Sequence, residues 1–399
     1  MATTPEARLL LIGRSLRAFA DGYVAVLLPA YLLALGFGQI DVGLLSTATL
    51  AGSAAATLAI GAVGHRWASR RLLLLAALLM VATGLGFAGL SSFWPLMVVA
   101  LVGTLNPSSG DVSVFLPVEH ARLAHAATGD ARTVLFARYS LAGALCAALG
   151  ALAAAVPAWL TARYNVGLLN ALRAMFGLYA LIGALVGWLY RRLPMSDGPV
   201  SAAPAPLGPS RSIVIRLAAL FSVDAFAGGL VVNSLMSLWL FERFGFTLAQ
   251  AGAFFFWTGL LAAGSQLAAP AVARRFGLLN TMVFTHIPSS CCLIAAALVP
   301  DLHLALALLF LRSALSQMDV PTRTAYVMAV VTPPERTAAA SFTAVPRSLA
   351  SAASPTLAGA WMAAGLLSAP LIACGALKIA YDLALLFSFR HLKASGEKE

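Results

Sequence analysis

A chain of 399 residues that is 60% hydrophobic and only 10% charged is far from the roughly 25% charged composition of soluble domains, which excludes a water-soluble globular protein. Its formal net charge of +11 would suit a nucleic-acid partner, but the basic residues gather in short loops between apolar runs, so membrane orientation explains the charge and no nucleic acid is required. The apolar runs are too long and too little alternating for barrel strands, so the expected class is all-α and integral to a lipid bilayer.

Twelve stretches have spanning length. The first, 9–35, contains Arg14, Arg17 and Asp21; with arginines in its apolar run it reads as an uncleaved insertion signal. Arg14 and Arg17 read as snorkelling to the inner surface. The second and third, 41–64 and 72–92, flank an inner loop at 61–71. The fourth, 95–119, holds NPSSGD at 106–111. There Asn106, Pro107 and Gly110 lead into Asp111 and predict a locally distorted, ligand-facing segment. Glu119 reads as a solvated helix end. The fifth and sixth, 133–155 and 166–190, complete a first half over 1–190.

A Pro-, Ala-, Ser- and Gly-rich stretch at 191–212 reads as an inner linker without a core. The second half, 213–399, begins with 213–240, carrying Asp224, and continues with 247–273 and 278–299. His286 in the latter reads as a packed neutral histidine. The tenth stretch, 302–330, carries Arg312, Asp319 and Arg323 at i, i+7 and i+11, one stripe if the helix is continuous. The last two are 338–362 and 366–390, where Lys378 and Asp382 stand at i, i+4 and read as neutralising each other.

Orientation follows from the loops. One set holds Arg66, Arg70, Arg71, Arg122, Arg132, Arg191, Arg192, Arg211, Arg274, Arg275 and Arg336, while GFGQID, SSFWP and VPDLH hold no Arg or Lys. Both termini are therefore expected in the cytoplasm, in the plasma (inner) membrane. Cys146, Cys291, Cys292 and Cys374 lie in the apolar stretches and read as packing residues, with no metal site. There is no P-loop, so ATP-driven transport is unsupported, and no cofactor or enzymatic motif stands out.

The halves repeat. LGFGQIDVG (35–43) matches FGFTLAQAG (244–252) and GAVGHRWAS (61–69) matches PAVARRFGL (270–278), both at an offset of 209; SSGDV (108–112) matches SQMDV (316–320); Arg138 matches Arg347 and Gly150 matches Gly359, again at 209. Each half has an even number of spans, so these are parallel repeats.

Twelve spans, the 6+6 parallel repeat and the central linker resemble the major facilitator superfamily. That family's loop G-x-x-x-D-R-x-G-R-[RK] is similar to Gly61 followed by His65, Arg66, Arg70 and Arg71, with His65 at the acid position; the second copy keeps Arg274, Arg275 and Gly277. The resemblance implies two six-helix bundles around a central cavity lined by helices one, four, seven and ten, a gating role for this loop, and a monomer. The family's Gly-Pro antiporter motif is missing from GALCAALGAL (143–152), so that motif does not give direction.

Charges inside a bilayer are costly and mark function. The candidate substrate-binding or proton-coupling residues are Asp21, Asn106, Asp111, Asp224, Arg312, Asp319 and Arg323. Phe19, Tyr23, Phe115, Phe226 and Trp239 are expected to line the path. The leading reading is a secondary transporter that uses protons to export a small organic or toxic compound. Proton-coupled uptake of an anionic metabolite, efflux of a metal or metalloid ion, and a transport-dead membrane sensor are the alternatives.

Overall fold

The computed structural model describes residues 4–63, 66–108, 113–126, 129–194, 208–332 and 335–390. Helices dominate these residues, and no strand occurs among them. Ten segments among the described residues are long and apolar enough to cross a membrane. In chain order the helices are α1 Pro5–Ala34, α2 Gln39–Val63, α3 Ser69–Gly89, α4 Phe93–Val102, α5 Leu116–Ala126, α6 Gly129–Leu152, α7 Val156–Tyr164, α8 Leu168–Tyr190, α9 Arg211–Gly229, α10 Asn233–Phe244, α11 Leu248–Phe276, α12 Leu278–Leu298, α13 Leu302–Ser316, α14 Asp319–Val330, α15 Arg336–Ala353, α16 Pro355–Ala363 and α17 Ala369–Phe389.

Five of the stretches expected as single helices are broken, and most breaks have a local cause. Proline lacks the N–H that an interior helical residue donates, and its ring crowds the carbonyl four residues back. Pro321 cannot bond the carbonyl of Gln317, and α13 ends one residue earlier, at Ser316. Pro355 opens α16 after Ser354. Pro157 sits at the start of α7, following a single 3₁₀ turn at Ala153–Ala155. The seventh stretch breaks after the Gly228–Gly229 pair, where the backbone has least to hold it helical. The fourth stops at Gly103 and resumes at Leu116.

The chain divides into two compact units, Met1–Ala202 with Val232–Phe256, and Ala203–Val231 with Trp257–Glu399. The sequence assigns 232–256 to the second half by chain order, whereas these residues cluster with the first unit; the break after α9 falls at that change of unit. In the first unit α10 is fastened by a Ser46–Ser234 hydroxyl contact of 3.1 Å and by the Ser234 N–H donating to the Pro107 carbonyl at 3.0 Å.

Within the first unit α1 packs along α6 and α8, and α3 along α8. Small residues bring α1 and α6 together, as expected where lipid removes the hydrophobic drive between helices. A Cβ on Gly22 would stand 2.1 Å from the Ala147 carbonyl oxygen, and one on Gly150 would stand 2.0 Å from that of Phe19. In the second unit α15 packs along α9, and α12 along α13 and α17. Its core gathers Phe221, Met282, Val283, Tyr326, Tyr381, Leu385 and Phe389.

Gly150→Ala is expected to force α1 and α6 apart and to lower stability by about 1–3 kcal/mol, as overpacking does. Gly177→Ala, whose new methyl meets nothing within 4 Å, is the control and should match or slightly exceed the wild type. Thermal unfolding of both variants in detergent checks this.

Candidate functional site

In the second unit, charges that the sequence presents as separate pairs form one chain. Asp224 on α9 is its hub. One oxygen accepts from Lys378 Nζ of α17 at 2.6 Å, and the other accepts from Arg323 Nη2 of α14 at 3.0 Å. The same Nη2 also donates to Asp319, one turn earlier on α14. Beyond Lys378 stands His286 of α12: its Nε2 lies 3.3 Å from Nζ, and its Nδ1 lies 3.0 and 3.1 Å from the two oxygens of Asp382. With Nδ1–H donating to Asp382, Nε2 is left to accept from the lysine. Asp224, His286, Asp319, Arg323 and Asp382 are all buried.

Two expectations are corrected here. Lys378 and Asp382 do not neutralise each other: Lys378 is held by Asp224 and Asp382 by His286, because Asp224 and His286 approach α17 from neighbouring helices. His286 is buried as expected, but it bridges Lys378 and Asp382 rather than serving as packing alone. A third correction concerns the stripe 312–323. The interruption at Gln317–Met318 separates α13 from α14, so Asp319 and Arg323 meet while Arg312 belongs to another helix. Arg312 lies in electrostatic reach of Cys292 and Cys374 and makes no ion pair among the described residues.

The first unit has a smaller cluster. Arg17 of α1 grips Glu119 of α5 with both terminal nitrogens, at 2.7 and 2.6 Å. The hydroxyls of Tyr139 and Tyr190 donate to the same carboxylate, and the Phe115 ring lies 3.9 Å from the guanidinium. Glu119 is fully buried and Arg17 nearly so, which overturns the solvated-end reading of the one and the snorkelling reading of the other. Arg14 is buried as well, over the Tyr139 ring. A carboxylate with a bidentate arginine and two phenols has its hydrogen-bonding capacity met without water.

Asp21 differs. It is buried on α1, yet among the described residues it makes no hydrogen bond or ion pair; Arg14, Arg17, Tyr23 and Tyr179 are the ionisable groups in electrostatic reach. Asn106 is buried where the fourth stretch is non-helical, and its Oδ1 accepts from the N–H and hydroxyl of Ser108 at 3.1 and 2.7 Å. Of the distortion expected over 106–111, residues 106–108 are non-helical, and 109–111, Asp111 included, lie outside the described residues. Of the aromatics expected along a path, Tyr23, Phe115 and Trp239 are fully buried, and Phe19 and Phe226 are half-buried.

In the gating loop, Gly61, Arg66, Arg71, Arg274 and Arg275 are exposed and Arg70 is half-buried; His65 lies outside the described residues. Gly277 has φ 83° and ψ 160°, a region open essentially to glycine alone. The loop has an anchor that the motif does not show. Arg122 donates to Ser69 in the loop at 2.7 Å, to Glu6 at 2.6 Å and to the Pro194 carbonyl at 3.0 Å, tying the ends of α1, α3 and α8. In the second unit Glu335 does similar work: it accepts from the N–H groups of Gly208 and Ser210 and from the Thr332 hydroxyl. The hydroxyls of Ser210 and Thr332, then the backbone donors, hold its pKa down at about 2.

Residues 10–355 match the Major Facilitator Superfamily. An uncharacterized membrane protein of Saccharomyces cerevisiae is 25% identical over 99% of this chain and 96% of its own length. Solved structures share the fold at low identity. A D-xylose–proton symporter has a TM-score of 0.74 at 14% identity, covering 98% of both chains. The nucleoside transporter NupG has 0.74 at 13%, covering 97% of this chain and 100% of the other. A bacterial homologue of the human lysosomal transporter Spinster has 0.73 at 14%, covering 97% and 96%.

Asp224→Asn removes the carboxylate from two cations at once, buried Arg323 and half-buried Lys378. It should cost more than Asp319→Asn, after which Arg323 keeps Asp224, and a loss of about 3–5 kcal/mol is expected for stranding a buried charge. Equal melting temperatures for the two variants in detergent would contradict the hub. Glu335 gives a pH test. Its folded-state pKa is depressed, so its stabilisation is full above the ordinary glutamate value of 4.5 and is lost as pH falls towards about 2. Glu335→Gln should be less stable than wild type at neutral pH and should lack that acid-side loss in a melting-temperature profile.

Proposed function

The chain belongs to the major facilitator superfamily, and within it we propose a secondary transporter that works by alternating access as a monomer and exchanges protons for a small organic or toxic compound leaving the cell. Both termini are assigned to the cytoplasm and the protein to the plasma membrane, on the loop arginines.

Asp21 carries the reading. Every other described acid in the helix interiors is committed: Glu119 to Arg17, Asp319 and Asp224 to Arg323, Asp382 to His286. Asp21 is buried without such a partner, so a proton can be loaded and released there without breaking a salt bridge. Asp111, the counterpart of Asp319 in the repeat, is the second proposed carrier. The Asp224 network takes a different part, as a set of exchangeable pairs joining α9, α12, α14 and α17. Substrate is proposed to meet the non-helical segment around Asn106.

The test is a substrate screen in proteoliposomes with an imposed proton gradient. Wild type should move at least one compound against its own gradient. Asp21→Asn and Asp111→Asn should insert and fold but lose that uphill movement. Uphill transport at the normal rate in both variants would remove these acids from the coupling scheme.

A further inference from the structure

The repeat places one arginine at the same position in each half, Arg138 and Arg347, at an offset of 209. Both are exposed. Arg138 is nine residues into α6 and Arg347 eleven into α15, or about 14 and about 16 Å along their helices. The spans read from the sequence begin at 133 and 338, so Arg138 lies five and Arg347 nine residues past their inner ends, about 8 and about 14 Å into a hydrocarbon layer of about 30 Å. Among the described residues neither makes a hydrogen bond or an ion pair. Arg347 lies in electrostatic reach of Asp224, Asp319 and Arg323, but those acids already hold Arg323 and Lys378.

A guanidinium at this depth needs water or a counter-anion. Apart from Asp21, buried on α1, the described acids of the helix interiors are paired with other residues. The surroundings suit an acid with an apolar body: Val134, Leu145 and Leu149 are exposed on the same face of α6 as Arg138, and exposed Ala340 and Ala344 leave room beside Arg347 on α15. Each arginine is on a helix that packs along a carrier of the acids above, α6 on α1 and α15 on α9.

We propose that Arg138 and Arg347, each in its own unit, bind the acidic group of organic anions, and that such anions are the transported class. The second clause rests on the transport reading; the binding site does not. A guanidinium offers planar donors to carboxylate, sulfonate or phosphate alike, and an anionic lipid headgroup presents the same chemistry.

The test uses the full chain in detergent. Thermal stabilisation is measured with benzoate, naphthalene-2-sulfonate and phenyl phosphate, beside the uncharged benzamide and naphthalene-2-sulfonamide. At least one acid should stabilise the wild type where its neutral counterpart does not. Because the two sites are separate, Arg138→Gln and Arg347→Gln should each remove part of the stabilisation and the double Gln variant should raise the concentration required at least tenfold, while the double Lys variant, which keeps the charges, retains part of the binding and reports a folded protein. Stabilisation by none of the acids, or unchanged binding in the Gln variants, overturns the site. A repeat in nanodiscs with and without phosphatidylglycerol separates the two sources: an effect of the lipid alone overturns the organic-acid site in favour of headgroups. Acids that bind but are not moved across vesicles under any imposed gradient leave the site standing and remove the transport reading.

Discussion

A charge inside the bilayer needs an opposite charge or water beside it, and much of this architecture follows from that requirement. Insertion scales put an unpaired arginine, lysine or aspartate at mid-helix at about 3 kcal/mol. Stranding one that is fully desolvated costs still more. Each unit answers with a clasp between its first and fourth spans, and the signs are exchanged between the two. In the first unit α1 supplies the cation, Arg17, and α5 the acid, Glu119; in the second, α9 supplies the acid, Asp224, and α14 the cation, Arg323. In both, an aromatic ring lies against the guanidinium from one turn before the acid: Phe115 before Glu119, Phe221 before Asp224. The repeat has kept the geometry of the clasp and not the identity of its residues.

Helix interruption is the second ingredient, and it sets which charges can meet. Had the tenth stretch continued through Gln317, Arg312 would share a face with Asp319 and Arg323. Pro321 ends that continuity. At the eleventh stretch Pro355 cannot bond the Ser351 carbonyl, the very atom that lies against Gly229 of α9. Backbone groups freed in lipid must be satisfied by a neighbour, so breaks of this kind are tolerated where another helix comes close.

The spans were legible because length and apolarity are local properties of a sequence. The Asp319–Arg323 pair was legible for the same reason, as a one-turn spacing. Contacts between distant spans were not. Arg17 and Glu119 are 102 residues apart, and nothing local tells a buried arginine from one that snorkels. One signal was present: Glu119 is the sole glutamate in the predicted spans, sharing the fourth with Asp111, and an acid there can partner a helix-one arginine. His286 was read from its own helix, although its role is set by Asp382 and Lys378, 96 and 92 residues away. Arg122 was counted only as topological charge, yet its three bonds fasten three helix ends.

The sharing of Asp224 between two cations constrains how this protein can change over generations. A substitution at that position takes the carboxylate from Lys378 and leaves Arg323 with Asp319 alone, so a viable replacement calls for matching changes on α14 and α17. Arg323 is bound in turn to Asp319, and Lys378 to His286, which is bound to Asp382. Six positions on four helices therefore form one unit of inheritance, to be kept whole or exchanged together. Asp21 stands outside that unit: with no bonded partner to change alongside it, only its own task holds it in place.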